Sequence, residues 1–190
     1  MRTIQHDVKH THGVPLMQWL PKLTSKHALA NDARRALTAF ATDGNVGLPN
    51  DTALAALVHW AWNGDVGRRI LADEVGPELL DAIFGRRDFR AAVNGVLWRN
   101  DAWWCDDKTT ANAETCDEIV NTAFDSALDD LTKRYGNDIS SWRWDTAHFA
   151  RSEHRPFSNL PIVSKLFEIR TPTAGDTYTV LVGKVRDADS

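Results

Sequence analysis

Trp142–Leu181 reads WRWDTAHFARSEHRPFSNLPIVSKLFEIRTPTAGDTYTVL, and this stretch decides how the rest of the chain is read. It carries two tryptophans, a histidine, a Pro-Phe step, a Leu-Phe step and a Gly-Asp turn that enters a β-branched run. No repeat and no single helical period generates that order. Pro156 and Pro161 hold its middle irregular, because proline removes a backbone donor and fixes φ. A short helix is expected over Ile162–Phe167. Thr177–Val182, rich in β-branched residues, reads as the one clear strand. A lone strand forms no stable sheet, since about three strands or a covering helix are needed. The stretch therefore asks for a partner for that strand, and without one it leaves an edge open to self-association.

Upstream the pattern is helical. Ile4, Val8, Leu16, Leu20 and Leu23 fall near helical spacing over residues 3–23, with Pro15 marking a kink or a fresh start. Asn31 or Asp32 is placed to cap a second helix through Phe40. Residues 42–49, with two glycines, read as a loop. Asp51 or Thr52 caps a third helix, in which Leu54, Leu57, Val58, Ala61 and Trp62 form an apolar stripe. Gly64 and Gly67 weaken it, Gly76-Pro77 ends it, and Pro77 opens a short helix over Glu78–Phe84. Asp88 starts another, with Phe89, Ala92, Val93, Val96 and Leu97 on one face. Asn100–Thr110 is expected as a loop. The clearest helix spans Ala113–Tyr135, with Gly136 ending it and Asp129–Lys133 and Asp130–Arg134 as i,i+4 ion pairs of about 0.3–0.5 kcal/mol each. Ser140 or Ser141 is placed to cap a segment over Trp142–Ala150. The fold class expected is mainly α: a helical region over 1–141, then an irregular Trp-rich segment over 142–190 leading into a strand.

Composition bounds what such a chain does. Its 190 residues are 43% hydrophobic and 25% charged, ordinary for one domain or a sizeable piece of a larger one. The net charge of −4 and the lack of a Lys/Arg-rich block give no electrostatic case for nucleic acid or an anionic membrane. No signal peptide and no run of about 18–20 apolar residues is present, so the chain as written would stay in the cytoplasm. Eight tryptophans point to several large core anchors.

The stretches that surround the opening one carry a resemblance. Trp142-Arg143-Trp144 is followed by His148, a Pro-containing loop, Leu166-Phe167 and Gly175-Asp176-Thr177. Upstream lie LTKRYGNDISSWRW over Leu131–Trp144 and WWCDD…ETCDEIV over Trp103–Val120. Together these resemble the β chain of the penicillin acylase (penicillin amidase) family of amide hydrolases. Gln5-His6-Asp7 and Leu20-Pro21-Lys22-Leu23 resemble the helix before that family's helical region. Two positions depart from the pattern: Asp43-Gly44 lacks the preceding tryptophan, and Leu181 stands where the family strand commonly has asparagine.

The resemblance implies an N-terminal-nucleophile hydrolase with an αββα architecture, of which this chain matches an internal helical segment. In that family an exposed N-terminal serine attacks, its own α-amino group acts as base, and backbone N–H groups with an asparagine hold the oxyanion. Those residues and the calcium ligands belong to segments preceding Ile4, so no catalytic residue carries over, and neither a metal nor a cofactor is expected. The partners implied are the α chain and the N-terminal part of the β chain. The parent would be periplasmic or secreted. The segment alone is expected to be inactive; the alternative is a free-standing helical binding or interaction domain derived from an acylase.

Other candidate sites fare as follows. Thr3 lies in no nucleophile motif. His6 and His10 are spaced to grip a metal on one helical face, but no third ligand is evident, and His12 adds none. His148 and His154 flank Arg151 and Glu153 without a nucleophile paired in sequence, so structural hydrogen bonding is the expected role. Asp106-Asp107 and Asp129-Asp130 are adjacent, and neighbours do not face each other on a helix, so capping or solvated surface is expected. Cys105 and Cys116 are the only cysteines, and C-x10-C is not zinc spacing. In an exported protein they are expected to form a disulfide that fixes the Trp103-Trp104 loop to the following helix. In a cytosolic one they remain two thiols.

Overall fold

The computed structural model describes residues 14–41, 54–84, 86–152, 157–160 and 162–173. The fold is built on two long helices. Helix α1 is a single turn, Val14–Met17, with Pro15 in it, followed by a 3-10 turn over Leu20–Lys22. Helix α2 spans Ala30–Ala41, α3 Leu54–Ile83, α4 Arg87–Arg99, α5 Ala102–Cys105 and α6 Cys116–Tyr135. Helix α7 is Trp144–Ala147, strand β1 Phe149–Ser152, helix α8 Ser164–Phe167 and strand β2 Ile169–Pro172. The mainly α class is as the sequence indicates.

Helices α3 and α6 pack antiparallel and form the centre. Trp62 of α3 is fully buried, meets Phe124 of α6 edge-on at 5.2 Å, and donates its Nε1–H to the carbonyl of Val120 at 3.0 Å. A buried indole needs such a partner, and this one pins the register of the two helices. Helix α2 covers α3 with Ala33 and Leu37, and α4 covers it with Phe89, Val93, Val96 and Leu97. Ala92, expected on that inner face, is exposed. Two fully buried tryptophans from the opening stretch close the core: Trp142 donates from Nε1 to Gly136 O at 3.0 Å, its carbonyl receives Leu54 N–H at 2.8 Å, and Trp144 lies 6.4 Å from Trp60.

The helix runs through Gly64 and Gly67, and Gly67 makes room: a Cβ there would stand 2.9 Å from the ring of Phe89, whereas one on Gly64 would stand at an ordinary 3.5 Å from that of Phe84. Phe84 and Phe89 themselves meet at 5.2 Å. The expected break falls at Gly76, whose φ of 74° and ψ of 162° interrupt the helix, and Pro77 restarts it in the first turn of the second piece.

Several expectations need correction. Helix α2 starts earlier than Asn31, because His27 organises the turn before it: Leu29 N–H donates to His27 Nδ1 at 3.1 Å and Ala30 N–H to His27 O at 3.0 Å. Asn31 and Asp32 therefore sit in the first turn, where Asp32 complements the helix dipole and pairs with Arg35. Helix α6 starts at Cys116 rather than Ala113, because Thr115 and Glu118 form a reciprocal capping box. Lys133 pairs with Asp130 at i,i+3, at 3.5 Å, while Asp129 faces His27 Nε2 at 3.3 Å across to the segment before α2. Residues 102–105 wind into α5 where a loop was expected. Neither Ser140 nor Ser141 caps a helix over 142–150; Asp138 caps a 3-10 turn over Ile139–Ser141, and the chain turns extended at His148.

Two strands appear that the pattern did not indicate. Strands β1 and β2 form an antiparallel ribbon in which Phe149 pairs with Pro172 and Ser152 with Ile169. The expected strand Thr177–Val182 lies outside the described residues.

Candidate functional site: a stapled loop, a buried histidine and a helix-lined pocket

The segment between α5 and α6 is held by its own side chains. Asp106 accepts from Lys108 Nζ at 2.7 Å and from Glu114 N–H at 3.1 Å; Asp107 accepts from Thr109 N–H at 2.9 Å and Thr109 Oγ1 at 2.6 Å. Glu114 in turn accepts from Asp107 N–H and Thr110 Oγ1. The Lys108 contact, then the Glu114 N–H, hold the Asp106 carboxyl below its ordinary value. Asp106 and Asp107 thus bind donors within the loop, while the cap of α6 is Thr115. The Sγ atoms of Cys105 and Cys116 stand at disulfide distance at the two ends of this loop. On its outer face Trp103 meets Trp104 edge-on at 4.8 Å, and Lys108 lies 4.9 Å over the Trp103 ring.

His148 is fully buried at the junction of α7 and β1. Its ring stacks on Trp144 at 4.9 Å and 11°. Nδ1 lies 2.8 Å from the carbonyl oxygen of Thr173 and 2.9 Å from Thr173 Oγ1, and Thr173 N–H donates back to His148 O at 3.2 Å. A proton on Nδ1 satisfies the carbonyl, which leaves Nε2 as the lone-pair nitrogen. Nε2, like Trp144 Nε1, is buried and has no hydrogen-bond partner among the described residues. His148 thus clips the end of the ribbon to α7. Among the described residues no hydroxyl or thiol is hydrogen-bonded to Nε2 as a nucleophile would be. Thr3, His6, His10, His12 and His154, and the departures at Asp43-Gly44 and Leu181, lie outside the described residues.

A pocket of about 150 Å³ opens between α3 and α6. Leu57, Trp60, Phe84 and Leu131 give it an apolar floor, and Asp65, Arg68, Asp130 and Arg134 stand at its margin. Asp65 pairs with Arg69 at 2.8 Å, Arg68 with Asp81 at 3.1 Å, and Asp130 with Lys133 at 3.5 Å. Arg68 also lies 3.9 Å over the Phe84 ring. No group of three or more metal-ligating side chains occurs among the described residues, and no described helix is long and apolar enough to cross a membrane.

The geometry is that of a helical body with a clipped ribbon and a cysteine-bracketed loop, and it defines a class only at the level of fold. Comparison supplies the family. The penicillin amidase family model matches residues 1–189, and the chain belongs to that family. No curated protein matches the chain. Sequence reasoning singled out the two cysteines, pairing them on the condition of export, and expected structural hydrogen bonding of His148. It missed the ribbon.

Proposed function

We propose that this chain is the helical part of the β chain of a penicillin-amidase-like enzyme, an N-terminal-nucleophile hydrolase. The whole enzyme would hydrolyse the side-chain amide of penicillins or of related N-acyl compounds, acyl-homoserine lactones included. In this reading residues 1–141 buttress the fold, and residues 142–190 lead into its central sheet. The chain contributes no catalytic residue. Its partners are the α chain and the N-terminal part of the β chain, which supply nucleophile and oxyanion hole. A periplasmic or secreted parent keeps Cys105 and Cys116 oxidised.

One observation carries the reading beyond family membership. Phe157, Leu160, Ile162, Leu166, Phe167 and Ile169 are all exposed along one short segment. A run of large apolar side chains on the surface marks a face made to be covered. The test is hydrolysis of a phenylacetyl-type chromogenic amide and of a long-chain acyl amide by the purified chain. No turnover above buffer is expected. Turnover that survives repurification and is lost on changing Thr3 or His148 overturns the reading.

A further inference from the structure

One wall of the pocket between α3 and α6 comes from beyond the break in α3. Leu57, Trp60 and Gly64 lie on the first piece of that helix and Ala127 and Leu131 on α6, but Phe84 follows the second piece. In a straight helix Phe84 would stand about 30 Å from Gly64, at a rise of about 1.5 Å per residue. Instead a Cβ on Gly64 would lie 3.5 Å from its ring. Arg68 likewise reaches Asp81, 13 positions on, at 3.1 Å. The chain therefore doubles back, and it does so at Gly76.

The backbone of Gly76, at φ 74° and ψ 162°, lies in a region essentially reserved for glycine. A Cβ at this position would meet nothing within 4 Å, so glycine is there for its backbone and not for want of room. The residues that follow are held lightly. Over 77–84 only Leu80 and Phe84 are buried, and 77–79, 81 and 82 are exposed. Arg68 ties this piece to α3 twice: its Nη1 donates to Asp81 Oδ1, and its guanidinium lies 3.9 Å over the Phe84 ring. The ion pair is open to solvent, at 42% and 73% side-chain exposure, so it is weak and screened. The Phe84 ring also meets Phe89 at 5.2 Å and Arg90 at 5.7 Å, both from α4, the next helix. An element with a glycine-only pivot, two buried anchors and one surface catch opens at lower cost than the long helices around it.

We propose that residues 77–84 are a lid that pivots at Gly76, is caught by Arg68, and admits one small uncharged apolar molecule to the pocket between α3 and α6.

Size and charge select the occupant. The pocket holds about 150 Å³. Apolar cavities of about that volume take up one benzene molecule or xenon, whereas drug-sized ligands need about 300 Å³ or more. The margin carries two acidic and two basic side chains, and Asp65, Arg68 and Asp130 are already paired within the chain. It therefore favours neither sign of charge, and an ion entering the apolar floor would lose its hydration without a partner.

Benzene and xenon are the probes, titrated separately into the purified 190-residue chain while carbon-13 NMR follows its methyl groups. Saturable shifts are expected at Leu57, Ala61, Ala127 and Leu131, which line the pocket, and none at the exposed Ile162 and Leu166. No saturable shift with either probe overturns the site, and so does an equal response at Ile162 and Leu166. Exchange rates test the lid. Arg68→Leu keeps an apolar stem and removes both ties to residues 77–84. It is expected to speed benzene entry and exit together by about five- to tenfold, with the affinity held within about twofold. Raising salt to about 1 M screens the ion pair without any variant and is expected to move both rates the same way. Rates indifferent to the substitution or to salt overturn the lid.

Discussion

The helical body and the segment over residues 157–172 use the same kinds of side chain to opposite effect. In the body, Trp62, Phe124 and Leu128 are fully buried. In the segment, Ile162 is 82% exposed and Leu166 79% exposed. The difference lies in the length of element behind them. Helices α3 and α6 are long enough to face each other over several turns, and residues 58 positions apart in sequence meet at Trp62 and Val120. Helix α8 is a single turn, and β1 and β2 have four residues each. A two-stranded ribbon of that size is marginal by itself and buries little. Apolar content thus says what a segment wants covered, and element length says whether the chain covers it itself.

That contrast is broken most severely from the body side. Trp62→Ala removes the edge-on contact with Phe124 and the hydrogen bond to Val120, and leaves a cavity at the α3–α6 contact. It is expected to cost about 3–5 kcal/mol in denaturant unfolding, a large share of the stability of a typical domain. Next comes the loop. The Cys105–Cys116 pair closes a loop across a sequence separation of 11. Cys116→Ser is then expected to lower stability by about 2–3 kcal/mol. Denatured, unreduced protein should show no free thiol. Two titratable thiols would remove the staple from the comparison.

Smallest in stability, and sharpest in distinguishing the regions, is Ile162→Asp with Leu166→Asp. Both side chains face water, so unfolding should change by no more than about 0.5 kcal/mol. Any self-association seen by sedimentation should fall away with the double change. A parent chain that instead forms one defined oligomer, unaffected by the substitutions, would favour an independent interaction domain over a covered face.

What was legible in the sequence follows the same division. Helix α6 announces itself through its apolar stripe and through Gly136 at its end, where φ is 85°; its start was placed too early, at Ala113, because the reciprocal Thr115–Glu118 cap was not read from the sequence. The joint at Gly76-Pro77 is equally local. Strands β1 and β2 were hidden because what makes them strands is remote: Thr173 binds His148 through both main chain and side chain, 25 residues away. Phe-Ala-Arg-Ser is too short and mixed to carry a strand signal, and in Ile-Arg-Thr-Pro the strand-favouring Ile169 and Thr171 are offset by Pro172. The cysteine pair could be read from its count and its bracketing of one loop, on the condition of export.

The close approach at Gly67 restricts the order in which this sequence can change. With Phe89 present, any side chain at 67 brings a Cβ within 2.9 Å of an aromatic ring carbon, and Val93 stands 3.4 Å away on the same side. A lineage that acquires alanine at 67 first passes through an overpacked intermediate; one that first shrinks Phe89 passes through a cavity and then fills it. The two positions are coupled rather than additive. Relatives should accordingly carry the small residue on one helix and the large one on the other, in either arrangement, and seldom two large ones together.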